Sequence, residues 1–449
     1  MPLNEGQTVQ YTVVTTRVAD GTVLYWKTTG NTTNSDIVGG NTGSVTITNN
    51  QGVFNVSVLA DVLTDDTKTL GIALSTGSLN GPTVVSTANP ITVNDSSLSP
   101  NYNLYAIGYN IDGQLGLNDR VNRSSPTQVG SDTTWREIDP TGPTAAIKLN
   151  GTLWLWGDNS YGQLGFGDSI KRSSPTQIGS DTNWSKISTA TYSVFAIKTD
   201  GTLWTWGKNS QGHLGLNNTT WKNSPTQVGA LTNWQLVKQE SYLVIAIKND
   251  GTLWTWGSHI NGESGRSDVI AKSSPTQVGT DTNWSQAAIT GNHAIAIKTD
   301  GTLWTWGFAT DGSLGRNNQV STSSPVQVGT DTTWSKISTS SALSMATKTD
   351  GTLWTWGKGI YGALGHNNQT YKSSPTQVGT GTDWYLAKTQ GLTSAAIKTD
   401  GTLWTWGFGG QGNLGTNNRI DRSSPIQVGS GTNWNNLAIG GYTIFVTSN

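Results

Sequence analysis

A segment of about fifty residues is written seven times between residues 101 and 449, and no other feature constrains the fold as strongly. Gly-Thr-Leu-Trp recurs at Gly151, Gly201, Gly251, Gly301, Gly351 and Gly401, and Ser-Pro at Pro126, Pro175, Pro225, Pro275, Pro325, Pro375 and Pro425. The first copy has a degenerate anchor, Leu104-Tyr105-Ala106-Ile107-Gly108 in place of Leu-Trp-Thr-Trp-Gly. A unit this short cannot bury an apolar face alone, so neighbouring copies must build the core between them.

Each copy reads as four short strands. In the second they are residues 176–178, 184–188, 193–198 and 202–206. The last two flank Thr199-Asp200-Gly201, and Asp-Gly between β-rich runs predicts a type I′ hairpin, in which both central residues reach positive φ. Four antiparallel strands repeated around an axis make a β-propeller. The repeat region begins and ends inside one hairpin, so a strand at 442–447 is expected to pair with 103–107. That pairing completes a seventh blade from both ends of the region and removes two exposed strand edges. Nineteen of the 21 tryptophans fall on repeated positions: Trp135, Trp184, Trp234, Trp284, Trp334, Trp384 and Trp434, then six Trp-x-Trp pairs such as Trp204 and Trp206. At period two each pair shares a strand face, which suits packing between blades.

Composition narrows the function classes. Charged residues are 12%, against about 25% in ordinary domains, and 55 glycines mark a turn-rich all-β chain. Net charge is -1 with no long run of either sign, which gives no footprint for nucleic acid. No stretch reaches the roughly 18 apolar residues of a membrane span, and there is no cysteine for a disulfide or thiolate metal site. The start, MPLNEGQTVQYTVV, lacks the basic and apolar regions of a signal peptide, so synthesis in a cytoplasm is expected.

The copies, as in DGTLWTWGKNSQGHLGLNN…SPTQVG from Asp200 to Gly229, resemble the regulator of chromosome condensation repeat family. The resemblance implies a seven-bladed propeller over 101–449. It does not imply one function, because that family includes nucleotide-exchange factors for a small GTPase, chromatin binders and proteins of other roles. No basic tail and no long insertion between copies stands here to support the first two activities.

Residues 1–97 differ. Alternating runs at 8–14, 22–27, 44–48, 53–59, 69–75 and 91–94 read as an immunoglobulin-like β-sandwich, with 98–100 as linker. NEGQTVQYTVVTT…GTVLYWKTTG…GSVTITN…ITVND resembles the Calx-beta-like domains of marine cyanobacterial virus structural proteins. Calcium-binding members cluster carboxylates; Asp36, Asp61, Asp65, Asp66 and Asp95 are either remnants of such a cluster or ordinary turn aspartates.

Catalytic or metal chemistry finds little purchase. His213, His259, His293 and His366 lie in different copies, never at the spacing of a two-ligand motif, and read as exposed loop residues. Asp200 and its counterparts at 250, 300, 350 and 400 read as turn formers, as do Asp181, Asp281 and Asp331. Lys148, Lys198, Lys248, Lys298, Lys348 and Lys398 read as solvated strand ends. No cofactor is expected, and no metal in the repeats.

Comparing the copies with one another separates a monotonous set of turns from a varied set, and the two should occupy opposite faces of the propeller. The varied loops carry Tyr161, Phe166, His213, Trp221, His259, Arg266, Phe308, Tyr361, His366 and Tyr371, the candidate partner-binding residues. Trp221 is the one repeat-region tryptophan off the ladder. The centre of Gly-x-Leu-Gly reads Gln114, Gln163, His213, Glu263, Ser313, Ala363 and Asn413, which argues against seven equivalent sugar sites. The expectation is a non-enzymatic virion structural or adhesion protein, such as a phage fibre, tail or capsid decoration. It is anchored through its sandwich and oligomeric through its assembly, and its partners are a virion or fibre protein and a host-surface glycan or protein. A cellular interaction scaffold and a carbohydrate-binding lectin are the alternatives, with a hydrolase last.

Overall fold

The glycines of the six Thr-Asp-Gly-type turns adopt φ of 74° to 78°, the left-handed region where a side chain is strained. At Gly201 a Cβ would stand 2.2 Å from the carbonyl oxygen of Thr232, so close approach fixes the residue as well. Asp200 Oδ1 accepts from the Thr202 amide at 2.9 Å and hydroxyl at 2.7 Å, while the Gly201 amide donates to the Lys198 carbonyl. Only the glycine takes positive φ, and the turn is a three-residue loop ending in a left-handed residue rather than the expected type I′.

In this computed structural model the described residues are 3–4, 8–14, 21–30, 42–49, 51–57, 68–76, 83–86, 91–94 and 102–448 apart from 269, 310 and 342. The chain divides into two units, Met1–Asn101 and Tyr102–Asn449. Among the described residues, the regular elements of the second unit are strands and one 3-10 turn, Ile360–Gly362.

The second unit contains seven four-stranded sheets among the described residues. One is Trp184–Ala190, Ser193–Lys198, Leu203–Gly207 and Lys222–Gln227, in that hydrogen-bonding order. The last strand corrects the sequence reading, which placed each Ser-Pro strand first in its own copy. Trp204 pairs with Gln227 and Gly207 with Lys222, so the Ser-Pro strand closes the sheet of the copy before it. The corresponding strand of the next copy back, Arg172–Gln177, also begins four residues earlier than read. The seventh sheet takes Trp434–Ile439 and Thr443–Ser448 from one end of the unit and Asn103–Gly108 and Arg123–Gln128 from the other. Its central pair is antiparallel, from Thr443 opposite Gly108 to Ser448 opposite Asn103.

The core lies between successive sheets. Trp206 is fully buried among Leu153, Leu155 and Val194, and its indole N–H donates to the Gln163 carbonyl of the preceding copy at 2.9 Å. The same bond joins Trp156 to Gln114, Trp256 to His213, Trp306 to Glu263, Trp356 to Ser313 and Trp406 to Ala363. The repeated lysines are not solvated. Each lies over the outer ring of its Trp-x-Trp pair at 3.5–4.8 Å from the centroid, a cation–π contact. Lys198, Lys298, Lys348 and Lys398 also pair with Asp181, Asp281, Asp331 and Asp383 at 2.6–3.1 Å, and Lys148 pairs with Asp132.

Among the described residues, the first unit, taken by itself, holds two sheets. Leu3–Asn4, Ile91–Asn94, Lys68–Thr76, Val23–Gly30 and Thr42–Thr46 are bonded in that order, with Thr83–Ser86 also on Lys68–Thr76. Thr8–Val14 pairs with Gln51–Ser57. Leu24, Trp26, Val45, Ile47, Val56, Ile72 and Leu74 are buried. Asp36, Asp61, Asp65, Asp66, Asp95 and the linker 98–100 lie outside the described residues.

Candidate partner-binding face

Two sets of loops share one side of every complete sheet. The Lys208 amide, opening the long loop after Leu203–Gly207, bonds the Tyr192 carbonyl in the turn between the first two strands. On the other side, the Trp234 amide bonds the Gly201 carbonyl. The varied loops therefore project together, and the monotonous turns oppose them.

The varied side carries two contiguous aromatic tracks. In the first, Trp221 meets Tyr161 edge-on at 5.5 Å, Tyr161 meets Tyr192 at 5.1 Å, and Tyr192 stacks on Tyr242 at 5.8 Å. The Lys208 ammonium sits over all three tyrosine rings, at 4.8, 4.5 and 5.8 Å from their centroids. Trp221 is 48% exposed. The second track runs Tyr361, Phe408, Tyr442 and Tyr109, at 5.3, 5.7 and 6.4 Å. Tyr361, at one end of it, and Tyr442 are exposed. Amphipathic rings held by one another and a cation offer contact area without the entropy loss of ordering free side chains.

The other named residues divide. Tyr371 is exposed and Phe166 half-buried under the Arg172 guanidinium, 3.9 Å from its ring centroid. Phe308 is half-buried. The histidines are not exposed loop residues as read from sequence. His213 and His293 are fully buried, His259 nearly so, and His366 is half-buried with Nε2 3.0 Å from the Thr355 hydroxyl. Gly-x-Leu-Gly folds inward to deliver its carbonyl to the next tryptophan, which carries the His213 ring inside against Tyr242 at 5.3 Å. Burial, helped by the Lys208 charge, pushes the His213 imidazole down to about 4. Burial alone does the same to His293, whose Nε2 lies 2.8 Å from both Ser344 and Thr339 hydroxyls.

Arg266 is a loop staple rather than a surface contact. Its guanidinium bonds the Thr255 carbonyl at 3.1 Å and the Ile270 carbonyl at 2.7 Å, and stands 2.9 Å from His259 Nε2. Asn159 and Asn209 do similar work elsewhere, each bonding three backbone groups of its own loop. Tyr192, Tyr242, Tyr442 and Lys208 were missed from sequence, although tyrosine at one turn position of three copies was a visible signal. Among the described residues, no three metal-ligating side chains gather.

The family model for the Regulator of chromosome condensation (RCC1) repeat matches residues 103–138, 150–197, 200–239, 300–347, 350–384 and 400–446. Yeast RCC1 (Prp20), in a crystal structure bound to Kap60, is 17% identical with a TM-score of 0.70, covering 77% of this chain and 88% of that one. Prp20p from Saccharomyces cerevisiae, whose binding properties toward Gsp1p and histones have been described, gives 17% and 0.70 over 77% and 91%. Human WBSCR16 gives 18% and 0.70 over 78% and 99%. A comparison with curated proteins found no match.

Proposed function

Because the chain belongs to the regulator of chromosome condensation (RCC1) repeat family, we propose that it is a non-enzymatic recognition protein whose seven sheets close into one propeller that presents the varied face to a protein partner. The aromatic track Trp221–Tyr161–Tyr192–Tyr242 around Lys208 carries this reading. Closure is supported by the pairing of Thr443–Ser448 with Asn103–Gly108, and by the Asn436 amide, which donates to the Arg136 carbonyl across the junction.

The setting we infer is a virion or fibre, with a Calx-beta-like sandwich at the N-terminus as the anchor; it rests on that domain's resemblance to viral structural proteins. Mass spectrometry of purified particles tests the setting, and absence of the protein from them would end it. Trp221→Ala and Tyr161→Ala test the face: each should weaken partner retention at least about tenfold, the range of an interface anchor.

A cellular scaffold is the second reading, and the structural likeness to Prp20p, with its described binding to Gsp1p and histones, favours it. Catalysed nucleotide release from a small GTPase would select that reading. Glycan-array binding abolished by Trp221→Ala would instead select a lectin.

A further inference from the structure

The first strands of all seven sheets, with Pro140 and Thr141 of one varied turn, wall one cavity of about 310 Å³. Alternate residues of such strands face the same side. Glu137, Asp139, Lys238, Glu240 and Lys388 come into this space from three strands, with Lys336 on a fourth close by. Most of these charges are occupied. Lys238 stands 3.9 Å from Asp139, and the Lys336 ammonium donates to the Tyr385 carbonyl at 2.7 Å. Glu240 accepts from the Gln390 side chain at 3.1 Å, and Glu137 from the Ile187 amide at 3.2 Å.

Lys388 differs. It is the fourth residue after Trp384, and the neighbouring strands supply Ser338 and Ala438 at the same count from Trp334 and Trp434. Neither is a carboxylate. Among the described residues, no carboxylate lies within 4 Å of its ammonium and no hydrogen bond holds it. Lys388 is half-buried, and the carboxylates that act on it, Asp139 and Glu137, lie beyond 4 Å, so its ammonium is open to a counter-ion from solution.

We propose that the cavity binds a small oxyanion, of the carboxylate, phosphate or sulfate class, on the Lys388 ammonium. The space suits it, since about ten waters' worth of volume holds such an ion with part of its hydration shell. The acids of the cavity have partners of their own, Asp139 with Lys238 and Glu137 with Lys186 at 3.8 Å, and burial raises the Glu137 and Glu240 carboxyls. Burial, reinforced by the Lys238 and Lys336 charges and only partly offset by the Asp139 and Glu137 carboxylates, lowers the Lys388 ammonium to about 8.

Calorimetric titration of the full chain with inorganic sulfate at constant ionic strength, balanced with chloride, tests this. Saturable one-site binding is expected. Lys388→Met should weaken it at least about tenfold, and Lys388→Arg should retain it. Because sulfate does not titrate in this range, affinity should also fall as pH rises from 7 to 9 and Lys388 loses its proton. That profile is read on the wild-type chain and stands even if Lys388→Met does not fold. Parallel titrations with phosphate and acetate rank the oxyanions. Heat that does not saturate, or affinity flat across that pH range, would reduce the effect to ionic strength and overturn the site.

Discussion

The indole N–H of Trp206 donates to the main-chain carbonyl of Gln163 at 2.9 Å, tying one copy of the repeat to the copy before it. Five further copies repeat the bond with glutamine, histidine, glutamate, serine or alanine at the accepting residue, because the acceptor is backbone. Trp206→Phe keeps a ring in the site and leaves that carbonyl unpaired in the core. We expect a loss of about 2 kcal/mol, the cost of an orphaned buried polar group, measured as a lower urea midpoint.

One copy lacks a pair that others have. Leu231 stands where Asp181 and Asp281 hold lysines, and Lys248 therefore lies over Trp254 without a carboxylate. Burial lowers the Lys248 ammonium accordingly. Leu231→Asp should stabilise the protein by about 0.5 kcal/mol at low salt and by less in 1 M salt, as a half-exposed ion pair would. Chemical denaturation at the two salt concentrations measures both.

His213 and His293 predict acid sensitivity. Both fold with imidazoles lowered to about 4 from 6.5, so the unfolded chain takes up protons across that interval while the folded chain does not. Their contribution is intact above pH 6.5 and is lost as pH falls toward 4, by about 2–3 kcal/mol for each ring. Urea midpoints from pH 7.5 to 4.5 should fall, and His293→Asn should flatten the slope by the share of one proton.

Removing 443–449 deletes the central partner of Asn103–Gly108, including the buried Ile444, Phe445 and Val446. The second unit should lose its single cooperative melt and become protease-sensitive at the newly exposed edge. Limited proteolysis with a circular dichroism melt checks this. An unchanged melt would contradict it.

Much of the repeat unit was legible because turn chemistry and ring burial repeat at fixed spacing. The Trp-x-Trp strands and the pairing of the two ends are of that kind. The phase of the sheets was not, because the strand ending at Gln227 is equally extended whichever neighbour it joins, and the sequence between Gly207 and Lys222 does not say that the chain doubles back. Histidine burial was hidden for a related reason: loops are ordinarily outside, whereas Gly212-His213-Leu214-Gly215 turns inward to serve a tryptophan. The named aromatic residues included the first two rings of the first track, Trp221 and Tyr161, but not Lys208, since only space brings it over Tyr192 and Tyr242. The cavity charges, Lys388 among them, carried no sequence signal, coming from strands fifty residues or more apart.

The strand Asn103–Gly108 is flanked on both sides, by Thr443–Ser448 and by Arg123–Gln128. Tension arriving from the N-terminal unit enters the repeat region at this strand and meets two ladders at once. Pulled along its length, the strand must shear both rather than unzip one, so a tethered molecule would yield at a rate set by its unfolding barrier. The first strand of the repeat region is thereby a mechanical clamp within its own unit.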